Sequence, residues 1–263
     1  MALLLTIGLA GCGSSGPRSA PATTVTTTRR SVATSFAGLP QVGALFAGSS
    51  DQGLHFCTAS VVHSSAGDVI ATAAHCLSGT GVGLTFAPGY RDGVAPHGLW
   101  SVTASYVDPR WLRSHDPTVD VAFLTVAPQS RDGRKVEVEH AVGADRLAVD
   151  QSLTTAVTVV AYPGQVGGRP LRCATTTYAH LGYAAFDCGG YVDGTSGGPW
   201  LMRFNPATGR GRLYGVIGGL NQGGCKPDTS YSAHFDAGTA RLLARAAKGG
   251  PGDTVPPAGS DGC

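Results

Sequence analysis

The chain of 263 residues has 14% charged residues, a formal net charge of +2, 39 glycines and 16 prolines. Only two glutamates and three lysines occur, and this composition, poor in helix formers and rich in Gly, Val and Thr, excludes a helix bundle or coiled coil. The small net charge gives no electrostatic case for nucleic-acid binding, and a hydrophobic content of 42% excludes global disorder.

The chain begins with a short apolar run, Leu3 to Ala10, which is typical of the hydrophobic region of an export signal. The run is too short to span a bilayer. Small residues then precede Cys12, a pattern that resembles the lipobox of bacterial lipoproteins, although no lysine or arginine precedes the run. We predict a protein that is secreted or held on the outer face of the bacterial cytoplasmic membrane by a lipid on Cys12.

The middle of the chain is predicted to be two β units after a linker. Residues 13–35 are mostly Gly, Ser, Thr, Pro and Ala, which indicates a flexible tether. From Gln41 to about Ser232, short β-rich runs are separated by Gly, Pro and Asp, which favours a sandwich or barrels. Because this length is large for one sandwich, we predict two packed barrels, residues 36–150 and 151–248.

His75 differs from the other histidines in its surroundings. A β-rich run leads into the small residues of Ala-Thr-Ala-Ala-His-Cys at 71–76. Cys57 lies upstream on another predicted strand, so a Cys57–Cys76 disulfide would fix the loop that aims the imidazole. Six other histidines are predicted to be structural or solvated: His63, His97, His115, His140, His180 and His234.

Asp120 opens an apolar strand, Asp-Val-Ala-Phe-Leu at 120–124. A carboxylate at the edge of a core needs a partner, because burial of an unpaired charge is costly. A histidine N–H is a suitable partner, and the carboxylate in turn holds the imidazole in one tautomer. Asp116 competes for this role, but Asp116-Pro117 is a turn signal, which makes Asp116 less suited to burial.

Ser196 lies in the glycine-rich sequence Gly-Thr-Ser-Gly-Gly-Pro at 194–199. The glycines allow strained turns that expose the hydroxyl, and the N–H groups of Gly194 and Ser196 would converge on a developing oxyanion. The sequence also fits the G-x-S-x-G elbow of α/β-hydrolases. That fold needs a helix after the serine and then an acid and a histidine, whereas residues 199–202 are strand-like and only His234 follows. We therefore reject it.

The end of the chain is predicted to be a helix from Asp236 to Lys248 followed by a disordered tail. Asp236 caps the helix, two glycines end it, and residues 249–263 are rich in Gly, Pro and Asp.

Cysteine usage indicates disulfides. Without Cys12 six cysteines remain, an even number that is typical of bridges in an exported chain, and none has the C-x-x-C spacing of zinc sites. After Cys57–Cys76 we expect Cys173–Cys188, because both cysteines belong to strands of one predicted hairpin around Gly182. Cys225–Cys263 follows by elimination, unless Cys263 stays free in the tail.

Together the motifs around His75, Asp120 and Ser196 resemble the trypsin/chymotrypsin-like serine proteases of the secreted bacterial type, in that family's chain order. The resemblance covers roughly residues 41–247. It implies an all-β fold of two six-stranded antiparallel β-barrels with a short C-terminal helix and a site in the cleft between them. It also implies that Ser196 is the nucleophile, His75 the general base and acid, and Asp120 the group that orients the imidazole, with no metal or organic cofactor.

The same resemblance bears on the primary pocket. Gly190 stands where trypsin-like enzymes carry the acid that binds Lys or Arg, and Ile217 stands where glutamyl endopeptidases carry a histidine. The Ser-Trp-Gly wall of the family is replaced by Gly218, Gly219 and Leu220. A neutral pocket that prefers hydrophobic side chains follows, with Asp193 at its rim as the residue that could instead attract a basic side chain.

Two further implications concern maturation and pairing. Thr195 stands where animal trypsin-like enzymes have the Asp that pairs with a freshly cut N-terminus, and no Ile-Val-Gly-Gly start lies near residue 41. That activation route is therefore not expected. The family also often ties the nucleophile loop to the pocket wall, which makes Cys188–Cys225 a rival to the hairpin bridge.

The sequence thus predicts an exported, monomeric serine endopeptidase that acts on protein or peptide substrates and contacts a membrane only through a lipid on Cys12. The alternative is a catalytically inactive, surface-tethered binding module on the same scaffold. The complete triad and the oxyanion glycines favour the enzyme.

Overall fold

The structure is a computed structural model that describes residues 2, 31–49, 53–164 and 168–263. The predicted signal, the predicted lipidation site at Cys12 and the predicted tether up to residue 30 lie outside the described residues. Across the described ranges, no helix is both long and apolar enough to cross a membrane.

Strands account for most of the regular structure. The first half of the chain contains β1 (Thr34–Ser35), β2 (Val42–Ala47), β3 (Cys57–Val61), β4 (Val69–Thr72), β5 (Leu84–Pro88), β6 (Trp100–Val107), β7 (Ala122–Val126), β8 (Gln129–Arg131), β9 (Arg134–Val136) and β10 (Arg146–Leu147). The second half contains β11 (Ala156–Ala161), β12 (Leu171–Thr176), β13 (Tyr178–His180), β14 (Tyr183–Asp187), β15 (Pro199–Asn205), β16 (Arg210–Val216) and β17 (Thr229–Ser232).

The first half forms a closed antiparallel barrel in the order β2-β3-β4-β7-β6-β5. Strands of the second half join β1 and β10 in a six-stranded sheet, β1-β12-β11-β15-β16-β10, and also form a three-stranded sheet, β13-β14-β17. The predicted all-β class is confirmed, and the Gly- and Val-rich composition that favours short strands and turns explains it.

The helices are few and short. The predicted C-terminal helix is confirmed as α3 (Ala237–Lys248), whose first turn is closed by a capping box between Asp236 and Thr239. The sequence analysis missed α1 (Pro109–Ser114) and α2 (Val138–Val142), because helices of five or six residues carry little periodicity. Three 3₁₀ turns complete the elements: η1 (Ala74–Cys76), η2 (Pro117–Val119) and η3 (Leu220–Gly223).

Strand β2 explains how the first barrel packs against the second half. Successive side chains of a strand point to opposite faces, and both faces of β2 are buried. Leu45 packs with the cluster that contains Ile70 and Phe86, whereas Phe46 packs with the cluster that contains Tyr162 and Leu213 from the second half. The outer face of the barrel is therefore part of the core between the two halves.

His55 belongs to this shared core. Its ring meets the rings of Phe46, Tyr90 and Tyr162 edge-on, with centroid distances of 5.9, 6.4 and 5.9 Å. Burial lowers the pKa of His55 from 6.5 to about 4. His55 is therefore a neutral core residue at physiological pH.

The start of the described chain differs from the predicted tether, which extended to residue 35. Strand β1 pairs with β12 in the second half, and Ala33 N–H donates to Gly189 O at 2.8 Å. Residues 31–35, which we call the N-terminal arm, thus form an edge of the six-stranded sheet. Sheet pairing supplies the backbone hydrogen bonds that a Ser/Thr-rich segment cannot obtain from its own composition.

The end of the chain also differs from the predicted disordered tail. Asp253 N–H donates to Ser105 O at 2.7 Å, its carboxylate accepts Val107 N–H at 2.9 Å and also pairs with Arg245, and Val255 is buried. Val255 forms a two-way backbone bridge with Gly79. Composition alone suggested disorder, but a few buried and paired groups order the segment.

Candidate active site

His75 is held in η1, directly after β4. The Cys57–Cys76 disulfide ties this turn to β3, which confirms the predicted bridge. The backbone N–H of His75 donates to Asp120 Oδ1 at 2.9 Å, and Nδ1 lies 2.7 Å from Asp120 Oδ2. Because a carboxylate only accepts hydrogen bonds, Nδ1 carries the proton and Nε2 is left as the basic nitrogen.

Asp120 lies between η2 and β7 and is fully buried. Its carboxylate accepts three hydrogen bonds: the two from His75 and one from Gly219 N–H to Oδ2 at 2.7 Å. These donors compensate for the burial of the charge. The competitor, Asp116, is instead the N-cap of η2, where its carboxylate accepts Thr118 N–H.

Ser196 lies in the loop between β14 and β15, and the first barrel is hydrogen-bonded to this loop. Thr58 of β3 donates its N–H to Ser196 O at 2.7 Å and its hydroxyl to Gly194 O at 3.0 Å. Gly197 has φ +78°, and a Cβ at this position would lie 2.1 Å from Thr72 Oγ1 and 2.3 Å from Thr58 O. Glycine is therefore required beside Ser196, because the loop approaches two strands too closely for any side chain.

The two predicted oxyanion donors are the backbone N–H groups of Gly194 and Ser196. Gly194 has φ +88°, and a Cβ there would lie 2.4 Å from Gly164 N. Within the described part of the chain, neither the Gly194 N–H nor the Ser196 N–H has a hydrogen-bond acceptor, whereas the N–H groups of Thr195, Gly197 and Gly198 donate within the fold. Two free N–H groups beside a serine hydroxyl are able to bind a negatively charged oxygen.

The candidate site opens onto a cavity of about 790 Å³, which is lined by His75, Gly194 and Ser196. In the described ranges no hydrogen bond joins Ser196 Oγ to His75, a bond that in ligand-free enzymes is often long and tightens when substrate binds. The side chain of His75 is 8% exposed. The imidazole is thus shielded from bulk water but reachable from the cavity.

Ile217 is the one predicted pocket residue that lines the cavity. Gly218 and Gly219 support Asp120 instead: a Cβ on Gly218 would lie 3.0 Å from Asp120 Oδ2, and Gly219 supplies the hydrogen bond described above. Leu220 opens η3, and Gly190 N–H donates to Pro227 O behind the cavity wall.

The sequence analysis missed most of the cavity wall. Residues 221–227, together with Tyr191, Val192, Ser230 and Asp261, line it beside the predicted Asp193 rim. No local motif marks them, because their positions depend on how η3 and the end of the chain fold back.

All three predicted disulfides are present. Cys173–Cys188 is confirmed and excludes the rival Cys188–Cys225 bridge, but its reason was partly wrong. The hairpin at Gly182 joins β13 to β14, whereas Cys173 lies in β12 of the other sheet, so the bridge ties two sheets together. Cys225 and Cys263 form the third bridge.

One group of potential metal ligands lies at the site. In the part of the chain that the structure describes, Cys57, His75 and Cys76 form the group whose ligand atoms lie within 4.8 Å of one another. The two sulfurs are joined in a disulfide and therefore do not offer the thiolates that a zinc ion needs.

Solved structures share this architecture. Protease Anisep from Arthrobacter nicotinovorans is 22% identical over 83% of this chain and all of its own, with a TM-score of 0.69. The thermostable serine protease AL20 from an extremophilic microorganism is 26% identical over 80% of this chain and 98% of its own, with a TM-score of 0.66. Human heparin binding protein is 15% identical over 85% of this chain and 99% of its own, with a TM-score of 0.62.

These similarities confirm the predicted fold: the chain has the fold of the chymotrypsin-like serine proteases. No family model and no curated protein matches the sequence. A shared fold does not transfer an activity, and one of these similar structures carries the name of a binding protein and not of a protease.

Proposed function

We propose that this protein is a serine endopeptidase that cleaves peptide bonds through Ser196, His75 and Asp120. The observation that carries the proposal is the buried Asp120–His75 pair on the same cavity as Ser196 and two free backbone N–H groups. This set supplies a nucleophile, a base and an electrophilic site for one oxygen, which are the groups that acyl transfer requires.

The proposed chemistry proceeds in two halves. Ser196 Oγ attacks the scissile carbonyl carbon while His75 Nε2 takes the hydroxyl proton, and the carbonyl oxygen becomes an oxyanion bound by the N–H groups of Gly194 and Ser196. His75 then gives the proton to the leaving amine as the C–N bond breaks. A water molecule, deprotonated by His75, then attacks the acyl carbon, the bond from this carbon to Ser196 Oγ breaks, and His75 returns the proton to Oγ. Asp120 stabilises the imidazolium in both halves.

The loop before the nucleophile supports a site that forms without a new N-terminus. The Thr195 hydroxyl donates to Val192 O at 2.6 Å, and the Thr195 N–H donates to the same oxygen at 3.1 Å. The loop is therefore held by hydrogen bonds within itself. An aspartate at position 195 would instead need a cation, such as a new N-terminus, as its partner.

A fluorophosphonate probe tests the proposal directly, because it reacts with activated serines. We expect stoichiometric labelling of the full chain, with the adduct on the tryptic peptide that contains Ser196, and no labelling of Ser196→Ala. Ser230 lines the same cavity, so Ser230→Ala is the matched control and should still be labelled. Absence of labelling in the folded wild type would favour the inactive binding module instead.

We further propose that the primary pocket accepts neutral, hydrophobic side chains. Of the residues on the cavity, Tyr191 and Ile217 are buried, whereas Asp193, Lys226 and Asp261 are exposed at its rim. Burying an unpaired charged side chain beside Tyr191 and Ile217 would be costly, whereas an apolar side chain would gain about 1 to 3 kcal/mol there.

Cleavage mapping on a peptide library checks this preference. We expect cuts after hydrophobic residues, in wild type and in Asp193→Ala alike, since Asp193 lies at the solvated rim. Dominant cutting after Arg or Lys that is lost in Asp193→Ala would show that the rim carboxylate, and not the pocket wall, selects the substrate.

The location of the enzyme is the last part of the proposal. Three disulfides agree with an oxidising, extracellular environment. Export as a monomer, and attachment to the membrane through a lipid on Cys12, stay predictions from the sequence.

A further inference from the structure

The last eight residues, 256–263, which we call the strap, connect the two sides of the candidate site. The strap leaves the first barrel at Val255, which is bridged to Gly79 three residues after Cys76. It begins with Pro256-Pro257, whose fixed φ angles favour an extended course. It ends on the cavity wall of the second half, where Cys263 is bonded to Cys225.

Two side chains of the cavity wall hold the strap in addition to the disulfide. Asn221 Nδ2 donates to Asp261 O at 3.0 Å, and Gln222 Nε2 donates to Gly259 O at 2.8 Å. Both residues have φ +51°, in the left-handed region that side chains other than glycine rarely adopt. The hydrogen bonds to the strap stabilise this conformation of the wall, which would otherwise be unfavourable.

The strap reaches the cavity itself. Asp261 lies on the same cavity as His75 and Ser196, next to Asn221 and Gln222. If the proposed function holds, the scissile carbonyl points to Gly194 and Ser196, and the side chain on its acyl side enters the cavity against the wall at 221–227. The residues that precede it then leave along that wall, where the strap lies.

We propose that the strap determines substrate specificity by blocking the acyl-side end of the cleft, so that the enzyme accepts few residues before the primary one. The inference rests on the proposed function, because it assigns subsites to that same cavity. The strap depends on a bridge whose two cysteines are both exposed, whereas Cys57, Cys173 and Cys188 are buried. Loss of this bridge therefore removes the covalent tie of the strap without opening the core.

The experiment compares two coumarylamide substrates, with two and with four residues before the scissile bond and the primary residue taken from cleavage mapping. For wild type we expect similar kcat/KM values. In Cys263→Ser the ratio of kcat/KM for the long substrate to kcat/KM for the short substrate should rise about tenfold, which corresponds to about 1.4 kcal/mol of recovered binding. Thr254→Ala, an exposed change just before the strap, is the matched control and should keep the wild-type ratio.

A second variant guards against a folding defect in the first. Asn221→Gly with Gln222→Gly removes both side-chain hydrogen bonds, suits the left-handed backbone and leaves the disulfide in place. It should raise the same ratio. An unchanged ratio in both variants, while the fluorophosphonate probe still labels Ser196, would overturn the proposed role of the strap in specificity and leave the proposed function intact. Absence of labelling in wild type would instead overturn the proposed function.

Discussion

Replacement of Ser196 by alanine is expected to lower kcat for peptide hydrolysis by about 10⁶. The change removes the only nucleophile of the proposed site and leaves His75 with no hydroxyl to deprotonate. Because the two residues act in one step, the double variant Ser196→Ala, His75→Ala should lose about as much as the single variant, and not the product of two losses. Steady-state kinetics on one peptide amide measure both.

Two controls separate this loss from damage to the fold. The main-chain contacts from Thr58 to the Ser196 loop do not involve the Ser196 hydroxyl, so the thermal unfolding midpoint of Ser196→Ala should stay close to that of wild type. Substantial hydrolysis by purified Ser196→Ala, insensitive to a serine-directed inhibitor, would show that another residue attacks the carbonyl.

Replacement of Asp120 by asparagine should lower kcat by about 10⁴, by analogy with the general behaviour of this type of triad. The carboxylate accepts hydrogen bonds from His75 N, His75 Nδ1 and Gly219 N. An amide has one oxygen and one NH₂ group, so in either orientation its NH₂ meets at least one of these donors. With the NH₂ group at the Oδ2 position, its clash with the His75 ring is relieved only if the proton moves from Nδ1 to Nε2, which removes the base.

Asp116→Asn is the matched control for this change. Asp116 caps η2 only four residues away, and asparagine caps a helical turn about as well as aspartate. We expect kcat within a few-fold of wild type for Asp116→Asn, and KM changed little in either variant. If the two variants lost equal activity, Asp120 would be acting through the fold of this segment and not through the imidazole.

The residues of the proposed chemical centre could be named from the sequence, because each of them is marked locally. His75 follows small residues beside a cysteine, Asp120 opens an apolar strand, and Ser196 lies between glycines that their close neighbours require. The residues of the pocket wall have no such local sequence pattern. Asn221 and Gln222 adopt a left-handed backbone that their identities do not suggest, and the partners that stabilise it lie about 40 residues later in the chain.

The two ends of the chain show the same limit. The N-terminal arm and residues 249–263 have the composition of linkers, and only the edges they meet, β12 and the segments around Gly79 and Ser105, decide that they are ordered. Sequence patterns describe periodicity within an element, whereas these contacts join residues more than a hundred positions apart. Tertiary context therefore overrides the local preference.

The arm and the C-terminal segment are exchanged between the halves: β1, from the start, completes the sheet of the second half, and Asp253 and Val255, from the end, complete the surface of the first barrel. The second half is therefore completed by residues that precede the first barrel, and the first barrel is completed by residues that follow the second half. These contacts couple the two halves, so we expect them to unfold together in a single thermal transition. During folding, neither half can therefore complete these contacts before the segment supplied from the other part of the chain has docked.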